Sequence, residues 1–194
     1  MKEGNHMNDE AIMEKIIGEE SLFEGRLVKL HKLDVTLPSG KPALREVVRH
    51  PGASAVVPVD ERGMVTMVKQ FRAAVGRVLL EIPAGKLDYK GEDRLEAAKR
   101  ELREETGLTA ANWVHLTDIT TTPGFCDELI SIYLATGLTS GDTDPDEDEF
   151  LNIVKLPLSE LVSMVMRGEI GDSKTLTGLL MAEKHLRGED GHGA

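Results

Sequence analysis

Residues 85–108, GKLDYKGEDRLEAAKRELREETGL, constrain this chain more than any other segment. Leu95, Ala98, Leu102 and Thr106 recur there at i, i+3, i+7 and i+11, the stripe of a helix with one packed face. The spacing predicts a helix over 92–106, and Gly107 stands where a left-handed C-cap belongs. Glu101, Glu104 and Glu105 fall at i, i+3 and i+4, so their carboxylates share a second face. On a plain surface helix such like charges repel. The fragment RELREE by itself reads as a solvated helix, with Arg100 and Glu104 paired at i, i+4. A hard divalent cation reverses the repulsion, because Mg²⁺ prefers a few carboxylates supplemented by water and phosphate oxygens. The whole segment adds a loop glycine, an entry glutamate at 92 and the capping glycine, and that combination favours the metal-holding reading.

The flanks read as strands and turns. From Gly25, GRLVKLHKLDVTL alternates apolar and polar residues, Pro38-Ser39-Gly40 marks a turn, and ALREVVRH follows. Residues 25–50 are therefore expected to form a β-hairpin, too small to stand alone in water. It follows a polar lead over 1–22, read as a short helix or a disordered stretch. ASAVVPVD and GMVTMVKQF are expected to pair around Glu61-Arg62-Gly63, with VLLEIP a short buried strand. WVHLTDITTT and LISIYLAT, separated by a loop over 123–128, and then FLNIVKL complete the strands. Pro157 and Gly168 bracket one helix, and another is expected over 173–186. Trp113 and the stretch Met164 to Met166 read as core packing. The expected class is α/β: a sandwich around a mixed sheet, with a small N-terminal antiparallel β-hairpin or sheet. The expected division is 1–50 for the lead and hairpin, 51–187 for the catalytic domain and 188–194 for a polar tail.

Composition excludes several partners. A formal net charge of −11 argues against nucleic acid, which is bound by Lys/Arg-rich surfaces. No apolar run approaches the roughly 18 residues of a membrane span, and MKEGNHMNDE lacks the apolar stretch of a signal peptide. Cys126 is the only cysteine, so no intramolecular disulfide is available, and the histidines show no zinc-like spacing. A cytoplasmic setting without membrane association is the expectation. An acidic chain takes an acidic substrate only when something cationic stands between them.

At this point the segment resembles the signature of the Nudix hydrolase family, Gly-x5-Glu-x7-Arg-Glu-apolar-x-Glu-Glu-x-Gly-apolar. Gly85, Glu92, Arg100, Glu101, Leu102, Glu104, Glu105, Gly107 and Leu108 supply its residue types. The loop from Gly85 to Glu92 is one residue longer than the signature, while the spacing on the helix is intact. The resemblance implies that Glu101, Glu104 and Glu105 bind Mg²⁺, or Mn²⁺ in its place, with help from the Ala84 carbonyl. It implies that Arg100 and Glu92 brace the helix and orient the ligands.

Glu81-Ile82-Pro83-Ala84-Gly85 before the signature, and Pro123 sixteen residues after Gly107, resemble the ADP-ribose pyrophosphatase branch. That resemblance runs from about residue 20 to 187. It implies hydrolysis of ADP-ribose, or a similar nucleoside diphosphate sugar, to AMP and ribose 5-phosphate. It also implies a homodimer in which the N-terminal hairpin exchanges between protomers and helps build the adenosine pocket. The branch places its catalytic base on the acidic loop before the last strand, at Glu147, with Glu149 next to it as a metal contact; a slip of one or two residues exchanges them. Arg72 matches an arginine that contacts the phosphates, against the plainer reading of a strand-end arginine. Phe125 and Glu128 would shape the ribose side, Glu81 and Arg45 would reach the adenosine across a dimer, and Gly85 would border the substrate. The competing expectations are another sugar nucleotide such as GDP-mannose, a nucleoside triphosphate, or a regulator that keeps the fold without catalysis.

Overall fold

The computed structural model describes residues 9–89, 91–141 and 150–188. Two compact units emerge, Met1–His50 with Thr122–Glu128 and Pro51–Thr121 with Leu129–Ala194. Among the described residues no helix is long and apolar enough to cross a membrane.

The first unit holds a short 3-10 turn, Asp9–Ile12, and an antiparallel sheet of β1 (Lys15–Glu24), β2 (Lys29–Thr36) and β3 (Pro42–Arg49) in that order. The turn between β2 and β3 is built as expected, with Gly40 at φ 80°. Within the lead, expected to begin as a short helix or a disordered stretch, Asp9–Ile12 is a short 3-10 turn, while Lys15–Glu24 forms a full strand that the expectation did not include. Its register against β2 shifts between Ile16 and Gly18 and again between Ser21 and Phe23. Two such irregularities erase the period-2 alternation by which a strand is recognised.

The second unit contains two sheets. One is antiparallel, with β5 (Met64–Arg72) between β10 (Leu151–Pro157) and β6 (Arg77–Glu81). The other is mixed, ordered β7 (Ala84–Lys86), β4 (Ala53–Pro58), β9 (Leu129–Ser140) and β8 (Leu108–Thr120), with β4 and β9 parallel. β4 and β5 were expected to pair, yet they lie in different sheets and share only the bridge between Val59 and Val65. The reason lies in β4, whose residues are all buried. A strand covered on both faces reads as a continuous apolar run and takes a central place.

The faces of β4 organise the helices. Val56 packs with Ala98 and Leu102 of α1 (Arg94–Thr106), together with Leu108 and Ala135. Ala55 and Val57 point the other way, into a larger cluster with Leu161 of α2 (Leu158–Met166) and Leu179 and Ala182 of α3 (Ser173–Leu186). Because side chains alternate across a strand, a helix on each side of one sheet follows directly, which is the expected α/β/α sandwich. Trp113 packs at the smaller cluster and Met164 at the larger, but Met166 is exposed, contrary to the core reading of that stretch.

α3 lies close on its sheet at Gly178. A Cβ there would meet Val57 Cγ2 at 2.9 Å, Ile82 Cδ1 at 3.1 Å and Ile132 Cγ2 at 3.2 Å. On an open helix Gly→Ala adds about 1 kcal/mol of stability. Here Gly178→Ala is expected to remove about 1–3 kcal/mol through overpacking, read from urea unfolding; a gain would show that the helix stands further from the sheet.

Candidate active site

The site grows from the start of α1. Asp93 caps the helix, its carboxylate accepting from Leu95 N at 2.9 Å and Glu96 N at 3.0 Å, so the first turn begins at Arg94 and not at Glu92 as the periodicity suggested. Gly107 ends the helix at φ 68°, donating to Arg103 O at 2.8 Å. Between these caps the helix presents three charged positions to the edge strand β7. Glu101 and Glu105 are only 7 % and 4 % exposed. The Glu105 carboxylate accepts from Ala84 N at 3.1 Å. The Glu101 carboxylate lies against Gly85, where a Cβ would come within 2.1 Å of it. Arg100 Nη2 donates to Lys86 O at 3.3 Å. Gly85 is thus required by close approach: any side chain would displace Glu101.

Arg100 is the centre of a charge cluster. Its Nη1 donates to Glu101 at 2.7 Å and to Glu104 at 3.1 Å. Asp88 lies 3.5 Å from its Nε, and Glu92 lies 3.6 Å from its Nη2. Burial works against the cation, yet the Glu101 and Asp88 carboxylates hold its proton more firmly than in an ordinary arginine. Glu92 also accepts from Asp88 N at 2.7 Å, and its own N–H bonds Tyr89 O at 3.2 Å. Gly91, at φ 93°, lets this longer loop turn back onto the helix. Arg100 thus contacts Glu92, Glu101 and Glu104 on one side of the helix.

The donor set is one of hard oxygens: three carboxylates of α1 and the adjacent β7 backbone, with no sulfur or imidazole. Such groups suit Mg²⁺ or Mn²⁺ rather than a softer metal. As the side chains stand, among the described residues no three His, Cys, Asp or Glu side chains gather around one point, and Arg100 lies between Glu101 and Glu104. Mg²⁺ does not need a closed protein cage, since it keeps waters and takes substrate oxygens. Gly85 leaves room for the Glu101 carboxylate against β7, beside the Ala84 backbone that Glu105 also meets.

A second charged network adjoins the first. Glu81, 1 % exposed at the end of β6, accepts from Arg72 Nε at 2.7 Å and Arg72 Nη2 at 2.8 Å, and also from Lys174 Nζ. Lys174 bonds Asp172 at 3.0 Å, and Asp172 caps α3 through Thr175 N at 3.1 Å and Thr175 Oγ1 at 2.5 Å. Thr175 Oγ1 in turn accepts from Ile82 N at 3.0 Å, two residues before Ala84. Burial pushes the Glu81 carboxyl up, but the bonds from Arg72 and Lys174 outweigh it and hold the group below its ordinary range. The bidentate bond to Glu81 raises Arg72. Glu81, expected near the adenosine, is therefore enclosed by two cations of its own unit.

Lys174 and Asp172 escaped the sequence reading. The available signal was a lysine in the first turn of a helix otherwise apolar on its inner face, where the helix dipole disfavours a cation.

Arg45, Phe125 and Glu128 belong to the first unit. Arg45 pairs with Glu14 and donates to Leu44 O at 2.9 Å. Phe125 is exposed, and Glu128 lies 3.4 Å from His50 Nδ1. The loop that carries Phe125 and Glu128 is fastened to β3: Val48 N donates to Phe125 O at 2.7 Å, and Asp127 N donates to Val48 O at 3.2 Å. Arg49 Nη1 and His50 N reach the Asp127 carboxylate at 3.1 Å and 2.8 Å. Glu147 and Glu149 lie outside the described residues.

The comparisons agree with this fold. A family model described as NUDIX domain matches residues 48–178. The chain belongs to the Nudix family of hydrolases. It is 43 % identical over 167 residues to an ADP-ribose pyrophosphatase of Bacillus subtilis (strain 168), covering 85 % of this chain and 90 % of that one. It is 44 % identical over 165 residues to a methanol dehydrogenase activator of Bacillus methanolicus, covering 84 % and 89 %. A crystal structure of an ADP compounds hydrolase superimposes with a TM-score of 0.79 at 22 % identity, covering 91 % of this chain and 96 % of that one, which shows the shared fold.

Glu81 contributes a testable pH dependence. Its folded carboxyl lies below the ordinary value of 4.5. Its stabilisation is thus complete above the unfolded value and lost as pH falls through the folded one. Glu81→Gln leaves two cations near an uncharged buried partner and is expected to cost about 3–5 kcal/mol at neutral pH. Unfolding curves across a pH series should converge with wild type in acid; a constant gap would mean that Glu81 is not ionised in the folded chain.

Proposed function

We propose that the chain hydrolyses the diphosphate of ADP-ribose, or a closely similar nucleoside diphosphate sugar, to AMP and ribose 5-phosphate. The observation that carries this reading is the meeting of Glu101 and Glu105 with Ala84 and Gly85, an oxygen-rich site on a helix face held rigidly against an edge strand. The name of the Bacillus subtilis relative supplies the substrate class. In this reading Glu101, Glu104 and Glu105 hold Mg²⁺, which Mn²⁺ can replace, with the Ala84 carbonyl and Glu149. Such an ion, when bound, neutralises diphosphate charge and polarises a phosphoryl oxygen.

The chain's own groups do the rest. Glu147 takes a proton from the attacking water; the new P–O bond forms as the bridging P–O bond breaks, and the two phosphate monoesters leave. Arg72 Nε and Nη2 are committed to Glu81, while Nη1 has no hydrogen-bond partner among the described residues and is offered to the diphosphate. Arg45, Phe125 and Glu128 shape the adenosine and ribose ends, Arg100 and Glu92 orient the metal ligands, and Gly85 admits Glu101. The net charge of −11 makes the cation indispensable for an anionic substrate and fits a partner set without nucleic acid or membrane. A single cysteine fits the cytoplasm.

The test is AMP release measured across ADP-ribose, GDP-mannose and nucleoside triphosphates with Mg²⁺ supplied or chelated. ADP-ribose is expected to lead, and chelation to abolish turnover. Glu105→Gln is expected to stay folded and lose at least about 100-fold in turnover, more than the 10–100-fold typical of residues that only support ligands. Unchanged turnover in that variant removes the metal assignment. The name of the Bacillus methanolicus relative favours a second reading, an activator of a dehydrogenase. That reading requires ligand binding without turnover in any divalent metal.

A homodimer built through the N-terminal sheet belongs to the same proposal. Ile16, Ile17, Phe23 and Leu44 of that sheet are exposed, more apolar surface than three solvated strands need. Light scattering is expected to give twice the monomer mass, and Ile17→Asp with Phe23→Asp to halve it; a wild-type monomer refutes the dimer.

A further inference from the structure

We infer that Lys174 is a positioning residue for substrate binding: by sharing the Glu81 carboxylate with Arg72, it leaves the Arg72 guanidinium positive toward the diphosphate. The inference rests on the reading of Arg72 as the arginine that meets the diphosphate.

The geometry is an alternating string of charges. Asp172 holds Lys174, Lys174 holds Glu81, and Glu81 holds Arg72. The interior members are enclosed, with side-chain exposures of 9 % for Lys174 and 1 % for Glu81. Arg72, at the outer end, is 40 % exposed. The string thus presents a positive terminus outward and keeps its compensating charges inside.

Lys174 decides the sign at that terminus. Glu81 Oε2 accepts from both Lys174 Nζ and Arg72 Nη2. Without Lys174, a fork of two bonds at 2.7 and 2.8 Å would pair Arg72 one-to-one with a carboxylate in a weakly screened interior. Asp172, which acts on Arg72 through space, would lose its counter-ion as well. The arginine would then be the one cation left in the string, facing both Glu81 and Asp172 with Glu105 also acting on it through space, and would attract an anion poorly. Lys174 stands in the first turn of α3, where the helix dipole opposes a cation, and it is buried, where desolvation opposes a charge. A methionine there would avoid both penalties but, as the loss of one partner alone, would leave Asp172 without its cation and cost stability. A role in folding and a role in substrate binding are therefore separated by KM, not by stability.

The test is steady-state AMP release at saturating Mg²⁺ for Arg72→Ala, Lys174→Met, Lys174→Arg, and Lys174→Met combined with Glu81→Gln. Lys174→Met is expected to raise KM roughly tenfold, equivalent to about 1.4 kcal/mol, with kcat little changed. Lys174→Arg, which keeps the charge, is expected to hold KM near wild type. Adding Glu81→Gln to Lys174→Met removes the carboxylate that cancels Arg72, and KM is expected to recover although the melting temperature does not. Where Lys174→Met does not fold, Lys174→Gln takes its place in the same comparison. An unchanged KM in Lys174→Met, with KM raised in Arg72→Ala, overturns the inference alone. A KM that stays high in the double variant also overturns it, because the effect is then structural. An unchanged KM in Arg72→Ala overturns the diphosphate role of Arg72 and this inference together.

Discussion

The structure depends on the grip of one helix on one short strand. Three successive residues of β7 each receive a different group from α1: the Ala84 N–H meets Glu105, the Cα face of Gly85 meets Glu101, and the Lys86 carbonyl meets Arg100. An edge strand of three residues has little to hold it otherwise, since among the described residues it pairs only with β4. The grip places two buried carboxylates beside a half-buried edge strand, an arrangement that costs desolvation. Arg100 offsets part of that cost from the same helix, meeting two of the three glutamates.

Two charge systems flank residues 82–84, and they work by different rules. The cluster around Arg100 has an excess of carboxylates, with Asp88, Glu92, Glu101 and Glu104 on one arginine. The string from Asp172 to Arg72 is balanced, two anions to two cations. The first carries net negative charge, and the second presents a cation at its exposed end. Thr175 ties them together mechanically, because its hydroxyl bonds Asp172 on one side and the Ile82 amide on the other.

Much of this was legible in the sequence, and the failures have physical causes. The helix, its glycine cap and the shared face of Glu101, Glu104 and Glu105 follow from local periodicity, which tertiary packing here reinforces. The i, i+4 pairing of Arg100 with Glu104 was also readable. Strand partners were not: β4 and β5 look like a hairpin because a turn joins them, but pairing is decided by which strand is buried on both faces. β1 was lost to its two register shifts. Lys174 left a local signal, its place in the first turn of α3, but its partner Glu81 lies 93 residues away and no spacing rule reaches that far.

The fastening of residues 122–128 to β3 bears on how this chain tolerates shortening. That loop is the link between β8 and β9, yet its hydrogen bonds run to Val48, Arg49 and His50. The N-terminal sheet and residues 122–128 therefore form one unit, although they lie far apart in sequence. A natural or engineered variant lacking the first strands would keep the Nudix helix intact and still lose the template that shapes a distant connection. Recombination between relatives would have to exchange the two segments as one inherited block.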